Sequence, residues 1–239
     1  MTVPPVSASI PAGRRLAALI AAEEKAMALL DVIEARGLIA PGRTERAVEQ
    51  DIYALAETEF GVAKHWHKRI VRAGANTTCV FSDNPLVLTI GADDTVFVDL
   101  GPVFEEWEAD VGRTYALGDD PEKHRLVHDL ERMFDVLARH FHDHPDITGA
   151  ELYTHAQKLA DAAGWVFGGA IAGHLVGEFP HARLPGDKEH YRVSPANPTR
   201  MRDLDALGQE KHWILEVHLV NHARTFGGFY ERLLLPSVV

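Results

Sequence analysis

The chain has 239 residues, of which 46% are hydrophobic and 25% are charged, proportions that are ordinary for a globular protein with room for a sizeable core. Its formal net charge of -11 argues against a surface for nucleic acid or anionic lipid, because both favour basic patches. The single cysteine, Cys79, cannot form an internal disulfide, which predicts a cytoplasmic location. No apolar run approaches the ~18–20 residues of a membrane span, and the proline-broken start does not resemble a secretion signal.

The first hundred residues are predicted to form two helices followed by short strands. Residues 1–13 are rich in Pro, Ser and Ala and predict a flexible N-terminal arm, ahead of a single domain over 14–239. Apolar residues recur at helical spacing over 14–36, and a second helix is predicted over 44–60. The stretch 67–101 is rich in β-branched residues and punctuated by Gly, Asn and Asp, which predicts several short strands.

The second half of the chain repeats this order. Helices are predicted over 121–142 and 148–163, the second opened by a capping box that starts at Thr148. A glycine-rich stretch and a loop follow, and the chain ends in two strand-like runs, 212–221 and 228–235. The order helices, strands, helices, strands predicts one α+β domain whose two halves are structurally alike.

Two aspartates interrupt what should be buried strands. Asp99 lies within the apolar run VFVDLG, and Asp110 follows within EADVGRTY. If 96–101 and 107–116 form a hairpin in which Asp99 opposes Asp110, the turn is centred just after Phe104. Like charges directly opposite each other destabilise a sheet, and buried carboxylates are costly without a cation. The pair therefore requires a counter-charge.

The C-terminal runs repeat the pattern with two glutamates. HWILEVHLV places Glu216 in one strand, and FYERLLL places Glu231 in the next. A pairing of Glu216 with Glu231 centres the turn between Ala223 and Arg224. With His174, in AGHLVGEFPH, the chain would gather four carboxylates and one imidazole.

This set of side chains is typical of the ligands of hard or borderline divalent cations. It is large for one ion but sufficient for two ions about 3.5–4 Å apart with a bridging water, and four negative charges balance two divalent cations. Ion pairing is the alternative, because buried charges are normally paired, and Arg113 or Arg232 could neutralise an acid. A lone acid such as Asp99 would more often have such a partner. Four acids and a histidine, each needing a separate explanation, favour the metal.

The order and context of these five residues resemble the pita-bread metallopeptidases, the family of methionine aminopeptidases, proline aminopeptidases and creatinase. The resemblance covers about residues 14–235, and it is carried by the segments VFVDLG, EADVGRTYALG, AGHLVGEFPHARLP, WILEVHL and GGFYERLLL. It implies the α+β pita-bread fold, with two related halves around a curved antiparallel sheet.

The resemblance also implies a role for each residue and a cofactor of two divalent metal ions, Mn, Co, Zn or Fe. The implied ligands are a terminal Asp99, the bridging Asp110 and Glu231, and the single ligands His174 and Glu216. The implied catalytic residues are Glu216 and His181. Glu216 would handle the proton of the metal-bound water in addition to its role as a ligand. His181 would contact the substrate and stabilise the tetrahedral intermediate.

The segment before Asp99 departs from the family pattern. Peptidases of this family carry a further substrate-contacting histidine upstream of the first aspartate, where this chain has Phe81 and Ser82. His65 and His67 lie too far upstream to fill that role by alignment. Phe81 is therefore the residue predicted to face the substrate.

The predicted activity is that of an aminopeptidase, which releases an N-terminal residue or dipeptide through a metal-activated water. A metal-dependent hydrolase or lyase of small amides or amidines on the same fold is the alternative, because fold does not fix function. Glu105, Glu106 and Glu108 could attract a substrate ammonium, although such a charge run is more typical of a solvated turn. The predicted partner is a small peptide or amide, not nucleic acid or membrane, and a homodimer is left open.

Overall fold

The computed structural model describes residues 11–235 of the chain. Most of the predicted N-terminal arm, residues 1–10, lies outside the described residues. Its last part does not form an arm, because the first helix already begins at Ala12.

Four helices form close to the predicted positions. They are α1 (Ala12–Ala35), α2 (Glu45–Phe60), α3 (Pro121–Asp143) and α4 (Gly149–Ala162). The side chains of Thr44 and Asp120 accept backbone hydrogen bonds at the starts of α2 and α3, as N-cap residues do. The predicted capping box is confirmed, since Thr148 and Glu151 exchange side-chain and backbone hydrogen bonds before α4.

Ten strands form two antiparallel sheets. They are β1 (Lys64–His65), β2 (Ile70–Ala73), β3 (Thr95–Leu100), β4 (Pro102–Phe104), β5 (Trp107–Glu108), β6 (Val111–Ala116), β7 (Val166–Phe167), β8 (Gly173–Val176), β9 (His212–Val220) and β10 (Gly227–Leu233). The large sheet has the order β2-β3-β6-β10-β9-β7, with β8 also paired to β9, and the small sheet has the order β1-β4-β5.

The large sheet has the same arrangement when followed from either edge. From one edge, β2, β3 and β6 follow α1 and α2 in the chain; from the other, β7, β9 and β10 follow α3 and α4, and β6 meets β10 in the middle. Each pair of helices packs with the strands of its own half in a separate hydrophobic core. The predicted α+β fold with two alike halves around an antiparallel sheet is confirmed.

The first acid-bearing hairpin differs from the prediction in its register. Asp99 opposes Gly112 rather than Asp110, which lies one residue before β6. The turn is centred one residue later, and it is a two-residue turn with Glu105 at a φ of 58°, as hairpins of this length require at their first position. Because side chains alternate along a strand, a pairing shifted by two residues keeps both aspartates on one face.

The second acid-bearing hairpin has the predicted register. Glu216 lies opposite Glu231, and the pairs on either side centre the turn between Ala223 and Arg224. The side-chain oxygen of Asn221 accepts hydrogen bonds from two backbone N–H groups across this loop. The loop is therefore braced internally, which holds the two glutamates in register.

The helices also bear on the prediction that the protein has no membrane span. Across residues 11–235, every helix is too short or too polar to pass through a lipid bilayer.

Candidate metal centre

A row of cross-strand partners crosses one face of the large sheet. Its members are Asp99 of β3, Gly112 of β6, Glu231 of β10 and Glu216 of β9. A Cβ added at Gly112 would lie 2.7 Å from the ring of Phe229 and 3.2 Å from Cβ of Glu231. The glycine therefore leaves room in the middle of the row for the side chains of its neighbours.

His174 reaches the same carboxylates from β8. Its Nε2 lies 3.0 Å from Oδ2 of Asp110. The Oε1 atoms of Glu216 and Glu231 are slightly further from that nitrogen, at 3.7 and 3.6 Å. Its Nδ1 lies 2.7 Å from the carbonyl oxygen of Leu175, to which it can donate a proton, so Nε2 is the ring nitrogen that faces the acids. The structure thus brings together all five residues predicted as ligands.

His67 also lies at this site, although the sequence analysis placed it too far upstream. Its Nε2 is 3.1 Å from Oδ1 of Asp110 and 3.4 Å from Oδ1 of Asp99. The cause is strand pairing: His67 comes just before β2, and Ile70 of β2 lies opposite Asp99. His67 therefore reaches the acids although it is far from them in sequence, because distance along the chain does not measure distance across a sheet; contact of His67 with a substrate is a separate question.

Gly101 is the sequence feature that could have indicated this approach. A Cβ on Gly101 would lie 2.2 Å from the His67 ring and 2.5 Å from Nε1 of Trp66. A glycine directly after a buried strand often marks such a close approach, but it does not name the side chain that approaches. The Trp66 ring then contacts three imidazoles edge to face, those of His67, His174 and His181, at centroid distances of 4.4, 5.3 and 4.9 Å.

The two arginines considered as counter-charges for the acids lie on the opposite face of the sheet. Arg113 pairs with Asp31 at 2.9 Å and with Glu34 at 3.2 Å, both on α1. Arg232 pairs with Glu23 of the same helix at 3.0 Å. Within 4 Å, the described residues offer the acid row only the two imidazoles as cationic partners. The explanation that Arg113 or Arg232 neutralises these acids is therefore wrong.

Three of the four acids hold their protons unusually tightly. Burial raises the pKa of Asp99 to about 7, with the negative charge of Asp110 adding to the effect. Burial raises the pKa of Glu216 to about 8. Burial, again with Asp110, raises the pKa of Glu231 well above its ordinary range. The cluster is therefore short of positive charge, and divalent cations could replace the protons it retains.

Asp110 and the two histidines form the charged centre of the cluster. Burial would raise the pKa of Asp110, but attraction and hydrogen bonds from the imidazoles lower it to about 2. Burial would lower the pKa of His67, but Asp110 and Asp99 raise it to about 9. The pKa of His174 is also well above its ordinary range, because its hydrogen bonds to carboxylates outweigh burial.

The ligand atoms fall into two triads that share one residue. His67, Asp99 and Asp110 form one triad, and Asp110, His174 and Glu231 form the other, each with ligand atoms within 4.8 Å of one another. Oδ1 of Asp110 faces the first triad and Oδ2 faces the second. A carboxylate that divides its oxygens between two donor sets is in the position of a bridging ligand. The residues present therefore fit two divalent ions.

A cavity of about 620 Å³ opens above the acids. A second row of the sheet, two residues along the strands, supplies an apolar wall in which Phe97 and Phe229 lie 5.5 Å apart between ring centroids. His218 ends this row, and its Nε2 lies 2.9 Å from the carbonyl oxygen of Thr77. The cavity is thus charged at its floor and apolar at its side.

Cationic side chains also line the cavity. They belong to Arg72, Lys188 and Arg192. Arg192 pairs with Glu189 at 2.8 Å, whereas the hydrogen bonds of the Arg72 and Lys188 side chains to described residues all go to backbone carbonyls. The cavity therefore holds two cations that have no carboxylate within 4 Å in the described part of the chain.

The predicted substrate residues His181 and Phe81 both line this cavity. Phe81 is 54% exposed, and its ring lies 5.8 Å from that of His67. His181 donates its backbone N–H to Oε1 of Glu108 at 3.0 Å, and its Nδ1 is hydrogen-bonded to Oε2. Contact of either side chain with a substrate stays a prediction.

The acidic turn has two different parts. Glu105 and Glu106 are exposed, as predicted for a solvated turn, and neither lines the cavity. Glu108 is only 1% exposed and holds His181. The prediction is therefore wrong for Glu108, because this residue lies in β5 opposite Val103 rather than in the turn.

Comparison with protein families finds one match that covers most of the chain. A model described as metallopeptidase family M24 matches residues 17–203. An Xaa-Pro dipeptidase of Lactobacillus delbrueckii subsp. lactis is 31% identical over 124 residues, and one of Lactobacillus helveticus is 28% identical over 127 residues. These alignments take in about half of this chain (52% and 53%) but only 33% and 34% of the two relatives.

Solved structures show the same fold. A prolidase from Thermococcus sibiricus superposes with a TM-score of 0.68 at 19% identity, covering 95% of this chain and 62% of the prolidase. A methionine aminopeptidase from Thermotoga maritima superposes with a TM-score of 0.66 at 18% identity, covering 90% of this chain and 92% of the aminopeptidase. At such identities the likeness extends to the fold alone.

Proposed function

The chain is a member of metallopeptidase family M24, and from that premise we propose that it is a dinuclear metal-dependent peptidase acting at the N-terminus of short peptides. The observation that carries the proposal is the pair of triads that share Asp110, since each could hold one divalent ion. Two ions there would lower the pKa of a shared water and polarise the substrate carbonyl.

Residues of the chain would bind the ions, transfer the proton and contact the substrate. The two triads, together with Glu216, would hold the ions. Glu216 would take the proton of the attacking water and pass it to the leaving amine. His181, in the cavity wall, would contact the scissile group of the substrate, and the apolar wall of Phe97 and Phe229 would exclude water.

The cavity supports a short substrate with a free carboxylate. Arg72 and Lys188 contact backbone carbonyls at 2.9 and 3.0 Å, and a peptide carboxylate would replace these contacts with stronger charge-assisted hydrogen bonds. A volume of about 620 Å³ suits a molecule the size of a dipeptide or tripeptide. The names of the two relatives, Xaa-Pro dipeptidases, agree with that class.

The alternative is a metal-dependent hydrolase or lyase of small amides or amidines, because fold does not fix function. The names of the two relatives, both Xaa-Pro dipeptidases, favour the peptidase.

Some finer points belong to the same proposal. Manganese suits a donor set dominated by carboxylates, and the single Cys79 suits a reducing cytoplasm. Residues 14–239 would act as one catalytic domain, because strands of both halves contribute ligands to the same row. A homodimer stays a prediction.

Metal analysis and a substrate panel test the proposal together. We expect purified protein to bind close to two equivalents of Mn, Co, Zn or Fe, and Asp110→Ala to lose most of that metal. Asp146→Ala is the matched control, since Asp146 is an exposed aspartate paired with Arg200 at 3.1 Å. Met-, Ala- and Xaa-Pro dipeptides should be cleaved faster with a free C-terminal carboxylate than with an amide. If no peptide is cleaved with any of these metals, the proposed peptidase function is wrong.

A further inference from the structure

Glu108 is a buried acid that the proposed reaction does not yet use. Its side chain is only 1% exposed, and it lies at the end of the small sheet rather than in the acid row. Within 4 Å of its carboxylate, the only basic side chain among residues 11–235 is His181. Burial of a carboxylate with a single imidazole partner is costly, so its position calls for a reason beyond packing.

The backbone around Glu108 brings it to His181. The N–H of Glu108 donates to the carbonyl of Gly177 at 3.1 Å, and the N–H of Phe179 donates to the carbonyl of Glu106 at 2.7 Å. These strand-like contacts align the segment that ends at His181 with the β4–β5 hairpin. They would hold the segment in place even with a different side chain at position 108.

The two carboxylate oxygens of Glu108 accept hydrogen bonds from different atoms of His181. Oε1 accepts the backbone N–H of His181 at 3.0 Å, and Oε2 contacts Nδ1 of the imidazole. An ionised carboxylate can only accept hydrogen bonds, so the proton of the second contact belongs to Nδ1. In the neutral ring, Nε2 then carries a lone pair and no proton.

The imidazole of His181 is also confined on its faces. The indole of Trp66 meets it edge to face at 4.9 Å between centroids. The ring of His174 lies nearly parallel to it, at 5.8 Å and an angle of 13°. With Nδ1 bound to Glu108, Nε2 is left without a protein partner among the described residues, in a side chain that lines the cavity.

We propose that Glu108 is a positioning residue that fixes the orientation and the Nδ1–H tautomer of His181, so that Nε2 presents a hydrogen-bond acceptor to the substrate. The inference rests on the proposed peptidase function and deepens it. Nε2 would accept a hydrogen bond from an N–H group of the bound peptide and orient its scissile bond. Since this neutral ring cannot donate from Nε2, the predicted stabilisation of the tetrahedral intermediate by His181 would require Nε2 to gain a proton later in the reaction.

Kinetics of a double-mutant cycle separate positioning from plain structural support. Glu108→Gln should lower kcat about 10- to 100-fold, the range seen when the hydrogen-bond partner of a functional histidine is removed. The same substitution made in His181→Ala protein should have almost no further effect, because Glu108 acts through that ring. Glu106→Gln is the matched control, an exposed glutamate of the same hairpin, and it should leave kcat unchanged.

A spectroscopic measurement tests the tautomer without substrate. In Zn-loaded protein labelled with ¹⁵N-histidine, His181 should show a proton on Nδ1 and none on Nε2 at a pH where the ring is neutral. In Glu108→Gln the ring should populate both tautomers, while metal content stays near the wild-type level.

Two results would overturn the inference. One is an unchanged tautomer of His181 in Glu108→Gln. The other is an equal loss of kcat from Glu108→Gln with and without His181, which would indicate a structural role only. If the wild type cleaves no peptide, the proposed function fails, while the tautomer measurement still decides the role of Glu108.

Discussion

The two acid-bearing hairpins of this protein place their acids at the site in different ways. In β9–β10, Glu216 and Glu231 oppose each other directly across one short loop. In β3–β6, Asp99 opposes a glycine, and Asp110 lies beyond the end of its strand, where β4–β5 branches into the second sheet.

The difference shows why the metal centre is asymmetric. The C-terminal hairpin is a continuous ladder, so it delivers two acids and nothing else. The interrupted hairpin frees Asp110 from the ladder and lets it turn one oxygen to each triad. The same interruption brings Glu108 to the site from the small sheet, and His67 lies between β1 of that sheet and β2 of the large one. One half of the molecule supplies ligands, and the other supplies ligands and the residues that orient them.

The largest expected effect is the loss of metal and activity when Asp110, which both triads share, is replaced. Replacing Asp99, which belongs to one triad, should have a smaller effect. Asp110→Asn should lose both ions and lower activity at least about 1000-fold, because metal ions contribute several kcal/mol to the transition state and each 1.4 kcal/mol is a factor of ten. Asp99→Asn should retain one ion. Metal content and kcat/KM measure the contrast, with Asp146→Asn as the control. Full retention of both ions by Asp110→Asn would contradict the shared position.

The free energy of unfolding of the metal-free protein should depend on pH, because several buried groups keep protons in the folded chain that they lose in the unfolded chain. Asp99 and Glu216 have folded pKa values of about 7 and 8, above the roughly 4 of unfolded carboxyls. The pKa of His67 is about 9, against about 6.5 when unfolded. Above about pH 6.5 the folded chain therefore binds more protons than the unfolded chain, and stability falls as pH rises from about 6.5 to 9, by an amount on the order of a few kcal/mol. Below that range the pKa of His65, which burial lowers to about 4, acts in the opposite direction.

Urea denaturation of metal-free protein at a series of pH values measures this slope. Saturating metal should flatten it, because the ions replace the protons, and metal affinity should rise over the same pH range. A metal-free midpoint that increased from pH 6.5 to 9 would show that the acids are not protonated in the folded state.

A smaller effect should come from adding a side chain at Gly112, in the middle of the acid row. A Cβ at Gly112 would lie 2.7 Å from the ring of Phe229 and 3.2 Å from Cβ of Glu231. Gly112→Ala should therefore cost about 1–3 kcal/mol of unfolding free energy and weaken binding of the ion held by Glu231. Thermal unfolding and metal titration measure both quantities. Gly13→Ala, with no heavy atom within 4 Å, is the control and should not destabilise, since alanine favours a helix.

The smallest effect should come from the opposite face of the same strand. Arg113 pairs with Asp31 and Glu34 of α1, both of them largely exposed. Arg113→Gln should cost about 1 kcal/mol or less and leave metal content unchanged. A loss of metal in this variant would mean that the two faces of the sheet are coupled, and it would weaken the assignment of Arg113 to the helix-facing side.

Local patterns in the sequence determined much of this protein. Apolar spacing and capping residues such as Thr148 set the four helices, because those signals act within a few residues of the chain. The alternation of side chains along a strand placed Glu216 and Glu231 on one face, and a single turn set their register. Even the wrong register of the first hairpin kept Asp99 and Asp110 together, since an error of two residues preserves the face.

Only the tertiary structure decided which distant segments meet at the site. His67 reaches Asp99 because β2 pairs with β3, and Glu108 reaches His181 because the small sheet aligns with a later loop. The sequence does not name the partner in either contact, because both depend on hydrogen bonds between segments far apart in the chain; Gly101 marks a close approach but not the side chain that makes it. The acids themselves could be found by periodicity, whereas the histidine beside them and the carboxylate behind His181 required the sheets to be assembled.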